Sequence, residues 1–145
     1  MAAFGCGDEE KEEPRLSKAD YQNEILAVLE DSDEPTILYT DLVVEQRSPE
    51  DCAAGVAKLQ DQIDALIDRV ADLSPPEAAQ PIQDDFVAAA RRSTERIGEL
   101  QEQVAAGDVS CGMELNDELY GMQSSNEAER AIARLERRGY FVFGE

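Results

Sequence analysis

Apolar positions recur at helical spacing along almost the whole chain after residue 16. The clearest run is Cys52, Val56, Leu59, Ile63, Leu66, Val70 and Leu73, with steps of 4, 3, 4, 3, 4 and 3. This seam predicts a long helix lying at a shallow angle against long neighbours. Ser48 caps it, Pro49 occupies the first helical position, and Glu50 and Asp51 put negative charge on the first turn. Ser74-Pro75-Pro76 ends it, because a residue before proline is pushed out of the helical region. A helix before it starts at the Ser17 cap and carries Tyr21, Ile25, Val28, Tyr39 and Leu42 on one face. Pro35 interrupts that stretch, yet Tyr21 and Tyr39 stand 18 residues apart, five whole turns, so the preserved phase favours one helix kinked near Pro35, with a short loop at 31–34 as the alternative.

The remaining chain repeats the theme. A helix from near Pro81 presents Ile82, Phe86, Ala89, Ser93, Ile97, Leu100 and Val104, and Gly107 supplies the left-handed stop. A last helical stretch from Ser110 carries Cys111, Leu115, Leu119 and Met122, and loses phase over 121–126. Ser125 or Asn126 is the expected cap for its continuation, which bears Ala128, Ile132 and Leu135 and stops at Gly139. The apolar end Tyr140-Phe141-Val142-Phe143 is expected to fold back over the core, since a lone short strand has no partner. Four stretches of about 25–29 residues, each roughly 40 Å long, with short connections predict an all-α fold: a four-helix up-down-up-down bundle over 16–145.

Charge changes the picture next. Thirteen basic and 33 acidic residues give a net charge of −20 in 145 residues. Such a surface does not suit the phosphate backbone of nucleic acid. Histidine is absent, which removes the commonest general base, the usual haem ligand and every His-containing zinc site. No apolar run approaches the roughly 20 residues of a spanning helix. Three lysines against ten arginines, with alanine-rich helices, point to a high-GC genome, and the acid excess to a salty or exported setting.

The opening Met-Ala-Ala-Phe-Gly-Cys-Gly, followed by an acidic run from Asp8 to Glu13, resembles the tail of a bacterial lipoprotein signal, whose cysteine becomes the lipidated first residue. Residues 1–15 are accordingly expected to be a flexible acidic tether with Cys6 as its anchor. Leu16-Ser17-Lys18-Ala19-Asp20-Tyr21, the Leu73-Ser74-Pro75-Pro76-Glu77 hinge and the ending Ala131-Ile132-Ala133-Arg134-Leu135-Glu136-Arg137-Arg138-Gly139-Tyr140 resemble small exported helical proteins of high-GC Gram-positive bacteria. That resemblance implies an uncharacterised lipoprotein-like bundle and brings no catalytic residues.

Cysteine arithmetic follows. With Cys6 reserved for lipid, Cys52 and Cys111 remain as a pair, the usage expected of an exported protein. In an up-down-up-down bundle both stand at the same end, in the first turns of the second and fourth helices, and they are expected to form a disulfide.

Other chemistry is sparse. Asp31-Ser32-Asp33-Glu34 lacks the glycine and distal glutamate of a calcium loop and reads as a solvated turn. Asp84 and Asp85 are adjacent on a helix and point to different faces. Met113 and Met122 read as core filler, and the Arg91-Arg92 and Arg137-Arg138 pairs as partners for surface acids. The expectation is a monomeric, non-enzymatic protein without a cofactor, lipid-anchored at the outer face of the cytoplasmic membrane or secreted. Its partner would be an envelope protein or a small ligand, with no nucleic acid. The alternatives are a cytosolic acidic interaction protein, even a nucleic-acid mimic, and, less favoured, a carboxylate-based enzyme.

Overall fold

A computed structural model describes residues 14–45 and 47–140. Among them the fold is all-helical, with no strand. The α-helices are α1 (Lys18–Glu30), α2 (Asp33–Val44), α3 (Pro49–Ala71), α4 (Gln80–Ala105), α5 (Met113–Tyr120) and α6 (Gln123–Arg137), with a 3₁₀ turn at Glu77–Ala79 between α3 and α4. No helix among the described residues is long and apolar enough to cross a membrane.

The caps explain the boundaries. Ser17 Oγ accepts from the Asp20 amide and Ser48 Oγ from the Asp51 amide, each at 3.1 Å, satisfying donors that no helical turn can reach. At the other end of α4, Gly107 has φ +84°, and the Asp108 amide reaches back to the Gln103 carbonyl at 2.8 Å. Gly139, at φ +78°, closes α6 the same way, with the Tyr140 amide on the Leu135 carbonyl at 3.0 Å. That second turn swings the Tyr140 ring back over the core, edge-on to Tyr21 at 5.9 Å between centroids. The fold-back of the C-terminal end therefore holds for Tyr140; Phe141, Val142 and Phe143 lie outside the described residues.

Three local expectations need correction. The first helix is interrupted at Asp31–Ser32, as in the short-loop alternative, and is not one helix bent near Pro35. Pro35 has no N–H for the Asp31 carbonyl, so the last turn of α1 tightens, with Ser32 N–H on Leu29 O at 3.1 Å, and α2 restarts at Asp33. The fourth stretch begins at Met113, because Gly112 at φ +102° leaves Ser110 and Cys111 in a turn ahead of it. Its break is at Gly121–Met122, and α6 resumes at Gln123 with no side-chain cap. The Ser124 and Ser125 hydroxyls are turned to Ser93 Oγ instead, at 2.8 and 3.3 Å.

Polar bonds between helices give the directions. Gln83 Nε2 donates to Leu73 O and Gln60 Nε2 to Thr94 O, and Arg91 pairs with Asp68, so α4 runs antiparallel to α3. Arg92–Glu127 and Arg134–Asp85 make α6 antiparallel to α4. Leu16 N–H on Ser74 O and the Arg69–Asp31 pair set α1 antiparallel to α3. Arg15 also donates to Pro75 O, so the start of the helical body is fastened to the Pro-Pro hinge.

Two apolar clusters form the core. One surrounds Cys52, with Leu42, Val56, Leu59, Leu100, Val104 and Leu115. The other surrounds Tyr21, with Val28, Val70, Ile82, Ala131, Leu135 and Tyr140. They occupy opposite ends of the long helices, and the site runs from the level between them into the Tyr21 cluster.

Candidate functional site: an apolar cavity between the two core clusters

Both ends of the molecule are tied. At one end Cys52 and Cys111 are bonded, 2.06 Å between sulfurs and 6.1 Å between Cα atoms. Cys111 sits in the turn ahead of α5, where its Sγ lies 3.1 Å from the Leu42 carbonyl oxygen of α2. Nearby, Tyr39 donates its hydroxyl hydrogen to Asn116 Oδ1 and meets Tyr120 edge-on at 6.2 Å, which joins α2 to α5. At the far end Tyr140 lies on Tyr21, with Lys18 Nζ 5.6 Å from the Tyr140 ring centre.

Between these ends α4 is bonded to α3 by Gln60–Thr94 and to α6 by Ser93–Ser124. By contrast, α1 makes only a few close backbone approaches to α3 and fewer to α6, which leaves the seam between α1 and α6 loose. Behind this loose seam is a cavity of about 370 Å³. Its walls are Ile25, Val28 and Leu29 of α1, Ile63, Leu66, Ile67 and Val70 of α3, Phe86, Ala90 and Ile97 of α4, and Ala128, Ile132 and Leu135 of α6. A second chamber of about 430 Å³ adjoins it towards the disulfide end, bounded by Pro35, Thr36, Tyr39, Leu59, Leu119 and Tyr120. Ser32, Ile63, Leu66, Ile97, Met122, Ser125 and Glu129 line both. The breaks in the two outer stretches, at Ser32 and Met122, therefore face each other across one opening.

The few polar groups in the walls are already paired. Tyr21 Oη donates to Gln83 Oε1 at 2.9 Å, and Gln83 Nε2 donates to Leu73 O at 3.1 Å. Burial, with Tyr140 close by, pushes the Tyr21 hydroxyl pKa up to about 12, so it stays a neutral donor. Tyr39 is raised in the same direction, again by burial first and then by Tyr120. Ser93 Oγ is held by Ser124 and Ser125. An apolar guest would leave none of these groups without a partner. Among the described residues Glu129 is the sole charged one lining either chamber, and it is exposed, which places it at the rim.

The residues singled out in the sequence fall out as follows. Cys6 and the tether up to residue 13 lie outside the described residues. Cys52 and Cys111 are brought together. Asp84 accepts from Gln80 and Asp85 pairs with Arg134, so the adjacent carboxylates serve separate partners. Asp31 pairs with Arg69 across the turn. Arg91 and Arg92 take Asp68 and Glu127 as expected of surface arginines. Met122 lines the cavity, but Met113 is 69% exposed on the outer side of α5 and is no core filler. Among the described residues no three His, Cys, Asp or Glu side chains gather as a metal site would require. Gln83, Ala90 and Glu129 carried no signal in the apolar pattern, because each sits one position beside an expected core residue. Ser125, expected as a cap, lines the cavity instead, with its hydroxyl 3.3 Å from Ser93 Oγ. No family model, curated protein or solved structure matches the chain.

Proposed function

We propose that this protein is a non-enzymatic binding protein of the cell envelope, whose helices hold a small apolar ligand in the central cavity. The observation that carries the reading is the cavity itself. Interior spaces of a few hundred cubic ångströms, apolar and bordered by a few placed polar groups, are the usual form of small-molecule sites between packed helices. We infer that the six helices act as four antiparallel arms, α1–α2, α3, α4 and α5–α6, in an up-down-up-down bundle. The antiparallel bond pattern between successive neighbours supports this grouping. The disulfide favours an oxidising compartment over the cytosol, which weighs against the acidic cytosolic reading.

The ligand site is tested with the neutral dye N-phenyl-1-naphthylamine, whose fluorescence rises in apolar surroundings. The full chain should saturate at one dye per protein. Ala128→Phe, which fills the cavity from a half-buried position on α6, should weaken binding at least tenfold with the helical signal intact. Leu66→Phe from the α3 side serves if the first variant misfolds. Dye binding that never saturates, or that ignores both variants, would overturn the reading.

Envelope anchoring is tested separately at Cys6. Expressed with its natural upstream reading frame in a lipoprotein-processing host, the protein should enter the membrane fraction with a diacylglyceryl mass on Cys6. Cys6→Ser should move it to the soluble fraction, and a Cys6→Ser protein that stays on the membrane contradicts the anchor.

A further inference from the structure

The charge at the cavity rim selects the ligand. Among the described residues no lysine or arginine lines either chamber, whereas Glu129 lines both. Two charged neighbours on α6 are engaged across the surface, Glu127 by Arg92 and Arg134 by Asp85, and Arg130, next in sequence, is exposed and lines neither chamber. Glu129 takes part in no ion pair among the described residues. Its helical neighbours at three and four positions, Ser125, Asn126, Ile132 and Ala133, offer no cation either. Ser125 and Asn126 stand with it at the second chamber, where their side-chain oxygens could accept hydrogen bonds. At the opposite end the Tyr21–Gln83–Leu73 chain is closed on itself and asks nothing of a guest.

From these observations we propose that the cavity takes a cationic amphiphile, with its apolar body in the 370 Å³ chamber and its ammonium group at Glu129 in the seam between α1 and α6. The size follows from volume: with about 30 Å³ for a water-sized group, the chamber holds roughly a dozen carbon-sized groups. The sign follows from the rim. An ammonium carries three donors and no acceptor, which matches a carboxylate flanked by a hydroxyl and an amide oxygen. A carboxylate or phosphate head would meet an unpaired glutamate inside the field of a protein of charge −20. The inference rests on the cavity as a ligand site, and its test separates the two.

Decylamine, decanol and decanoate share one apolar chain and differ in the head. Each is titrated into the dye-loaded protein below its micelle concentration, at pH 7 and 150 mM sodium chloride, where charges beyond about 8 Å are largely screened. Decylamine should displace the dye at a concentration several-fold lower than decanol and at least tenfold lower than decanoate. In Glu129→Gln the three should converge to within about twofold, while the dye itself still binds. Equal displacement by all three in the parent protein, or a decylamine preference that survives in Glu129→Gln, overturns the charge selection and leaves the cavity reading standing. Failure of the dye to bind removes the cavity reading beneath it.

Discussion

Tyr21 stands where packing, hydrogen bonding and ionisation meet in one side chain. It is fully buried, its ring takes the edge of Tyr140 and its hydroxyl donates to Gln83. The folded protein holds the proton up to about pH 12, against about 10 in the unfolded chain. A raised pKa on an acid that is neutral when protonated means stability present in full below pH 10 and lost as pH climbs towards 12. The loss is on the order of 2–3 kcal/mol for that shift. Denaturant midpoints measured at pH 8, 10, 11 and 12 should fall across the last three. Tyr21→Phe starts lower at pH 8, by about 1 kcal/mol, because Gln83 Oε1 loses its donor. Its midpoints should then decline less steeply than those of the parent over the alkaline range, and parallel curves would show that Tyr21 does not set the slope.

At the scale of elements, helix ends are fixed by local geometry that single substitutions can address. Gly107 is a clean case: its φ of +84° is in the left-handed region, and a Cβ built there meets nothing within 4 Å. Gly107→Ala should therefore cost about 1 kcal/mol in backbone conformation alone, and Gly107→Asn less, since asparagine tolerates that region. Thermal melts of the two variants check the order, and a Gly107→Ala protein as stable as the parent would mean that the turn relaxes. Glycine stops and serine caps of this kind were legible in the sequence because each depends on residues within one turn of itself. The α3 seam was legible for the same reason. The turn at Asp31–Ser32 was harder, as the proline that causes it lies three residues beyond the break and the phase on either side is nearly kept. The cavity was not legible at all. It arises because α1 and α6 make few close backbone approaches, a relation between residues more than 90 positions apart, such as Val28 and Ala128, that no periodicity records. Ala90 reads as an ordinary helix position until the neighbouring helix stands away from it.

For the whole molecule the balance of charge decides how the fold answers to its medium. Six arginines make the seven ion pairs among the described residues, and every pair is between partly exposed side chains. Exposed pairs contribute about 0–1 kcal/mol each and weaken as salt is added. Against them stand 33 carboxylates in the chain, 27 of them among the described residues, far more than the arginines can engage, and those 27 repel one another over helices up to about 40 Å long. Several of them cluster without full compensation: Glu30, Asp31, Asp33 and Glu34 border one concavity on α1 and α2, where Arg69 answers Asp31 alone. Folding brings these groups closer than the extended chain does, so their repulsion opposes the native state. At physiological ionic strength the screening length is about 8 Å, and at 1 M it is about 3 Å, shorter than most carboxylate separations but comparable to an ion-pair contact. Added salt therefore relieves the many long repulsions before it dissolves the few short attractions. The melting temperature should rise steadily from 10 mM to 1 M sodium chloride, and sodium sulfate should raise it further by strengthening apolar burial. The disulfide, which closes 59 residues of sequence and adds roughly 4 kcal/mol by restricting the unfolded chain, is indifferent to salt. The same slope should persist in Cys52→Ser/Cys111→Ser at a lower absolute temperature. A melting temperature that is flat or falls with sodium chloride would mean that the arginine pairs outweigh the net charge.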